Sequence, residues 1–330
     1  YFNLSEAIQF IYENILIQDR NEGLLKCFEN IFHFQLLLIS KANKDKSNHL
    51  LSVGDTYFNG NFANKDYNKA KQYYELAAQL NNFNANLNLG VLYKYGNYIK
   101  QDYLKAKEYL EKAAKSNNSI ALINLAELYY KGLGVKKDFS LAFKYFDLAA
   151  KQGNHIALLN LGNLYFNGFG VKQDFSMAKK LYELSSQQGN SSALLNLGNL
   201  YAKGQGVSVD FKKARYYYEL SAHKCNPKAF LNLAMIYYEG LGIQKNYDKV
   251  KECLENAGKF NESDGFLTLG NMFMSGDGLK KDYSQGKKYF ELAAKQNNVN
   301  ALSSLGTIFL FGYGVKIDYL RAKYYYLQAV

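Results

Sequence analysis

Shifted by 36 positions, the chain falls onto itself: Gly60, Gly96, Gly132, Gly168, Gly204, Gly240, Gly276 and Gly312 occupy one column without insertion or deletion. A period of this length, kept through eight copies, means that one supersecondary unit recurs and that each copy buries its apolar face against its neighbours. Every position in the unit therefore reports a recurring physical environment, and the columns can be read one at a time.

A second glycine follows at Gly134, Gly170, Gly206, Gly242, Gly278 and Gly314, with Phe62 and Tyr98 in its place in the first two copies. The first glycine suits a left-handed helix C-cap and the second a tight turn. An aliphatic residue comes next (Val135, Val171, Val207, Ile243, Leu279, Val315) and is expected to plug the loop into the core. Asp66, Asp102, Asp138, Asp174, Asp210, Asp282 and Asp318, with Asn246 in one copy, then precede an aromatic residue, where a helix N-cap belongs. The helix so started, B, carries alanines and large residues at helical spacing, among them Tyr74, Leu110, Phe146, Tyr182 and Tyr218. It should stop near Gly153 or Gly189. Asn82, Asn118, Asn154, Asn190, Asn226 and Asn298 sit where the next helix, A, needs its cap, and the single proline, Pro227, falls at a first helical position. Within helix A a glycine recurs at Gly90, Gly162, Gly198, Gly270 and Gly306, with Ala126 and Ala234 as substitutes. A mid-helix glycine costs about 1 kcal/mol relative to alanine, so its recurrence implies close contact with a packed neighbour.

The phrases ALLNLGNLYFNGFGVKQDF (157 to 175) and ALINLAELYYKGLGVKKDF (121 to 139) resemble the Sel-like (SEL-one) repeat, a relative of the tetratricopeptide repeat, and the resemblance covers residues 48 to 330. It implies an all-α fold, an α/α superhelical solenoid of antiparallel helix pairs wound right-handedly, and a role as adaptor or scaffold between proteins. The paired cysteines that staple every repeat in some bacterial relatives are absent. Eight tandem repeats are assigned to 47–330. Residues 1–46 lie outside the clean register and are expected to form an N-terminal helical cap or degenerate repeat, with helices over roughly 4 to 18 and 22 to 42. The copy spanning 246 to 265 is the least regular, with Val250, Gly258 and Gly265 in alanine columns and Glu262 in place of the asparagine cap. Drift, a bend or a soft spot would each fit. The chain starts at Tyr1 and stops at Val330 within the eighth helix B, which suggests a piece of a longer protein.

Composition narrows function. The net charge is +11, but the lysines are spread along the chain and interleaved with Glu and Asp, which argues against nucleic acid as the main partner. Cys27, Cys225 and Cys253 show no metal-ligand or disulfide spacing, so no metal and no cofactor are expected. No apolar run reaches the length of a membrane span. The cytoplasm is slightly favoured as location, with the secretory route left open. His33, His49, His155 and His223 fall at unrelated positions, no nucleophile has a base, and the GxG elements follow a helix and not a strand. The reading is non-catalytic.

In solenoids of the resembled type helix A lines the concave side. Its positions not used for the core form a stripe at i, i+3, i+7, and the candidate partner-binding groove is Asn124, Asn160, Asn163, Asn167, Asn196, Asn199, Lys203 and Asn232. Each carboxamide offers a donor and an acceptor, which suits the backbone of an extended peptide whatever its side chains. The row Asn88, Asn124, Asn160, Asn196 and Asn232 fits ties between adjacent A helices equally well. Alanine at Asn160, Asn163, Asn196 and Asn199 is expected to abolish capture and to leave the melting temperature nearly unchanged. Helix B carries Lys71, Lys107, Lys179, Arg215, Lys251, Lys287 and Lys323, a basic outer rail that reads as a solvated face or, alternatively, as a surface for nucleic acid or an acidic partner. A further alternative is a regulatory arm of a larger multidomain protein.

Overall fold

The computed structural model describes residues 43–61 and 63–330, and among them are sixteen helices and no strand. They form two compact units, one reaching to Ala157 with Phe169–Val171, the other made of Leu158–Gly168 and Lys172–Val330. The first contains α1 (Asn43–Asn59), α2 (Tyr67–Gln79), α3 (Phe83–Tyr95), α4 (Tyr103–Ala114), α5 (Ser119–Lys131) and α6 (Phe139–Ala150). Helix α7 (His155–Asn167) belongs mainly to the second, followed by α8 (Phe175–Gln187), α9 (Ser191–Lys203), α10 (Phe211–His223), α11 (Pro227–Glu239), α12 (Tyr247–Lys259), α13 (Ser263–Ser275), α14 (Tyr283–Ala294), α15 (Val299–Phe311) and α16 (Tyr319–Gln328). Odd-numbered helices are A and even-numbered ones B. The helices expected over 4 to 18 and 22 to 42 lie outside the described residues, as do Cys27 and Phe62.

The helix limits follow from the caps. Each B helix is entered through an extended aspartate or Asn246 whose side-chain oxygen accepts an N–H of the first turn, as Asp66 does from Lys69 at 2.9 Å and Asp174 from Met177 at 2.9 Å. The backbone N–H of the same residue donates to a carbonyl of the preceding A helix, Asp138 to Tyr129 and Asp210 to Tyr201 at 2.9 Å, which closes the loop. The A helices end on glycines in the left-handed region, Gly96 at φ 65 and Gly204 at φ 68 among them. After the B helices the left-handed residue is Gly153 or Gly189, and elsewhere Asn81, Asn117, Cys225, Asn261 or Asn297. The asparagine caps of the A helices also reach sideways: Nδ2 of Asn154 donates to Ser119 Oγ and that of Asn298 to Ser263 Oγ, tying one repeat's A helix to the next one's start.

Packing explains the mid-helix glycines. A Cβ on Gly162 would stand 2.6 Å from the Tyr182 ring, and one on Gly90 would stand 2.6 Å from Leu110, so in each pair the B-helix side chain lies on the A-helix backbone. The large residues so held are buried, Tyr74, Leu110 and Tyr182 almost completely, each contributing roughly 1.5–3 kcal/mol through the apolar area removed from water. Next to them an A-helix aromatic stacks on a B-helix tyrosine, Tyr93 on Tyr109 and Tyr201 on Tyr217, at 5.8 and 5.6 Å between ring centroids. The loop aliphatics pack half-buried against the clusters: Val135 in the first unit, and Val207, Ile243, Leu279 and Val315 in the second.

The irregular copy is compensated, not loosened. Helix α12 keeps the length of its counterparts, and the Cβ missing at Gly258 leaves the space that the Phe266 ring of α13 fills. Gly265 lies against the Leu254 carbonyl, where no larger residue fits. Only the cap is lost, since Glu262 makes no side-chain cap hydrogen bond.

Candidate functional site

The polar stripe of the A helices is built on buried tyrosines. Tyr182 is nearly inaccessible, and its hydroxyl, which cannot be left without a partner, donates to Asn163 Oδ1 at 2.8 Å. The same oxygen accepts from Nδ2 of Asn196 on the next A helix at 3.0 Å. One repeat later the pattern returns, with Asn199 Oδ1 accepting from Tyr218 at 2.8 Å and from Asn232 Nδ2 at 3.1 Å. In the first unit Asp55 plays the same part, accepting from Tyr74 at 2.8 Å and from Asn88 at 3.3 Å. Burial pushes the Tyr182 phenol up and the Tyr218 phenol to about 12, so both stay protonated donors. Asp55 is raised by burial, against the lowering effect of the Tyr74 hydrogen bond.

These bonds leave something over. Among the described residues the Nδ2 groups of Asn163 and Asn199, and the Oδ1 atoms of Asn196 and Asn232, take no partner. All four side chains are half-buried, and Asn163 and Asn196 line an open cleft of about 470 Å3 with Leu159, Leu195 and Pro227. Asn167 and Lys203, one turn further along, are exposed, and Asn167 Nδ2 turns back to the Asn163 carbonyl at 2.8 Å. Asn160 is half-buried on the same helix.

Asn124 is placed differently. It is buried, its Nδ2 donates to the Ile120 carbonyl, and its Oδ1 accepts from Lys94 Nζ at 2.7 Å. The Lys94 ammonium, nearly inaccessible, also meets Oε2 of the half-buried Glu127 at 2.7 Å, an ion pair that joins α3 to α5. The expectation that alanine at the groove asparagines leaves stability untouched is corrected by these contacts, because Asn163 and Asn199 carry the hydroxyls of Tyr182 and Tyr218. Sequence reasoning missed the tyrosines as partners, although the signal was present. Where the B helix has tyrosine (Tyr74, Tyr182, Tyr218, Tyr326), the residue 19 positions earlier is Asp55, Asn163, Asn199 or Thr307, and where it has Leu110 or Leu254 the earlier residue is Val91 or Met235.

The basic rail is largely matched in charge. Lys71, Lys107, Lys179, Arg215 and Lys287 each have a glutamate four residues on, at 3.7, 3.5, 2.7, 3.5 and 3.3 Å. Lys71, Lys251 and Lys287 also lie over the rings of Tyr93, Phe273 and Phe309. No group of three or more His, Cys, Asp or Glu that could hold a metal ion occurs among the described residues, and no helix there is long and apolar enough to cross a membrane.

A stack of capped A and B helices with a polar A-helix stripe defines an α/α helical-repeat protein. The Sel1 repeat model matches residues 46–82, 84–118, 119–154, 155–190, 191–224, 227–258, 269–298 and 299–330, and the chain belongs to the Sel1 repeat family. Its fold is similar to that of a Sel1 repeat protein from Oxalobacter formigenes, with TM-score 0.68 and 23% identity over 93% of this chain and 91% of that one. It is also similar to c5321, a protective antigen of uropathogenic Escherichia coli strains with the SLR fold, at TM-score 0.56 and 27% identity over 86% of this chain and 68% of that one. No curated protein matches. Sel1 repeat proteins are in general non-catalytic scaffolds for protein interaction.

Proposed function

We propose that the chain is a scaffold that takes an extended segment of a partner protein along its A helices, with Asn160, Asn163, Asn167, Asn196, Asn199, Lys203 and Asn232 as the contact surface in the second unit. One observation carries this reading. Each asparagine pair, after satisfying its tyrosine, presents the unspent amide NH2 of Asn163 or Asn199 and the unspent carbonyl oxygen of Asn196 or Asn232 on neighbouring helices, the two kinds of group that a peptide unit complements. Asn124, spent on Lys94, acts here as a tie between helices. The basic rail adds little to recognition, since most of its cations are paired at the surface and worth little individually.

The test is a random 12-residue peptide display library selected on the whole chain, with affinities of the enriched peptides measured by fluorescence anisotropy. The informative variant is Asn163→Val/Tyr182→Leu/Asn199→Val/Tyr218→Leu, which writes into two repeats the Val91 and Leu110 combination that the second repeat already uses beneath Gly90. It should keep its helical content and bind the peptides about tenfold or more weakly, the equivalent of about 1.4 kcal/mol. Equal affinity would overturn the proposal.

A further inference from the structure

The asparagine ladder stops in the sixth repeat. Where Asn163 and Asn199 stand in their copies, this one has Met235, which is 57% exposed, and the tyrosine beneath is replaced by Leu254. The result is a cleft of about 450 Å3 between α11 and α13 with its floor on α12: Val250, Leu254 and Met272 lie at the bottom, Leu231 and Met235 on one wall, Thr268 and Asn271 on the other. Its lining is mainly apolar while its mouth is open. An exposed methionine above buried leucine and valine is a surface that adapts to an inserted apolar side chain.

Two carboxylates belong to the same cleft. Asp264 lies in the first turn of α13 and Asp277 just past its end, so by helical rise they are about 20 Å apart along the α13 axis, the direction in which the cleft beside it runs. Asp277 accepts from the Tyr238 hydroxyl at 2.5 Å and Asp264 from Asn298 Nδ2 at 3.0 Å, and among the described residues neither is in an ion pair. Lys245 sits over the Tyr238 ring, whose hydroxyl donates to Asp277, at 5.8 Å from the ring centroid. The repeat itself does not require these acids. The column of Asp264 reads Asn48, Asn84, Ile120, Ile156, Ser192, Lys228 and Asn300 elsewhere, and that of Asp277 reads Asn61, Asn97, Leu133, Phe169, Gln205, Leu241 and Tyr313. The longest gap in the family match inside the array, between residues 258 and 269, holds Asp264. In a chain of net charge +11, two acids unique in their columns and without a cation partner are placed at the ends of one apolar cleft.

We infer that this cleft is a specificity pocket: it takes an apolar side chain of the partner segment whose flanking residues, on both sides, are lysine or arginine. The inference rests on the peptide-capture reading above and names what that segment must contain. An extended chain advances about 3.3 Å per residue, so cations about three positions before and after the anchor reach the two acids.

The same 12-residue library tests it. Selection on the whole chain should enrich peptides with an apolar residue flanked by Lys or Arg two to four positions away on each side. Two variants of the protein then separate the contributions. Asp264→Asn/Asp277→Asn removes the charges and keeps the hydrogen-bond acceptors. Ala234→Gly/Met235→Asn/Leu254→Tyr fills the cleft with the Gly198, Asn199 and Tyr218 combination of the preceding repeat, which keeps the fold. Each should weaken the enriched peptides about tenfold or more. Enriched peptides without basic flanks, or unchanged affinity for both variants, overturn the pocket. If the ladder variant alone loses binding, peptide capture stands and the pocket fails. If only the pocket variants lose it, the pocket stands and the ladder fails. No enrichment at all, or no loss with any variant, sinks both.

Discussion

At the scale of single residues the repeat is a set of coupled choices, not a string of independent preferences. Gly198, Asn199 and Tyr218 are one such unit: the glycine lets the ring lie on the helix backbone, and the asparagine receives its hydroxyl. In the copies without the tyrosine the column is mixed, Ala234 under Leu254 and Ala126 under Phe146 but Gly90 under Leu110 and Gly270 under Phe290, so leucine tolerates an alanine beneath it where the Leu254 copy sets the packing. Gly198→Ala should therefore destabilise the protein by about 1–3 kcal/mol through overpacking, and Tyr218→Leu in the same chain should recover much of that loss. Urea unfolding of the two single variants and the double variant measures the coupling, and simple additivity would contradict it. The close contact of the glycine was legible in the sequence because a residue costly in helices recurred there. The tyrosine hydroxyl's acceptor was not read, because its partner lies 19 residues away on another helix and the pairing emerges only when two columns are compared.

At the scale of elements the caps carried most of the information. Aspartate before the B helices (Asn246 before α12), asparagine before the A helices from α3 onward except α13, and glycine after the A helices mark the ends that the structure shows, and Pro227 begins α11 as its position requires. The exception makes the rule testable. Helix α13 begins at Glu262 without a side-chain cap, so Glu262→Asn should raise stability by about 1 kcal/mol. Thermal and urea unfolding would check it, and a neutral or negative effect would mean that Asp264 in the first turn already compensates. What the sequence could not reveal is the exchange between Gly258 and Phe266. A missing methyl on one helix looks like drift until the ring that occupies its space is seen.

At the scale of the whole molecule, the repeats of the second unit each contribute an A helix to a polar stripe and a B helix to the packing behind it, and the proposed partner would meet the stripe. The stripe was visible as a period, but its division of labour was not: Asn124 is buried on Lys94, while Asn163 and Asn196 share bonds and line an open cleft. Burial separates these cases, and nothing in a column of identical asparagines encodes it. The central claim is that binding happens on the A helices. The direct measurement is photo-crosslinking of a selected peptide, carrying a benzophenone in place of one apolar residue, to the whole chain, followed by mass spectrometry of the crosslinked fragments. The account predicts crosslinks confined to α7, α9, α11 and α13, and crosslinks concentrated on α8, α10 and α12, along the lysines of the B helices, would contradict it.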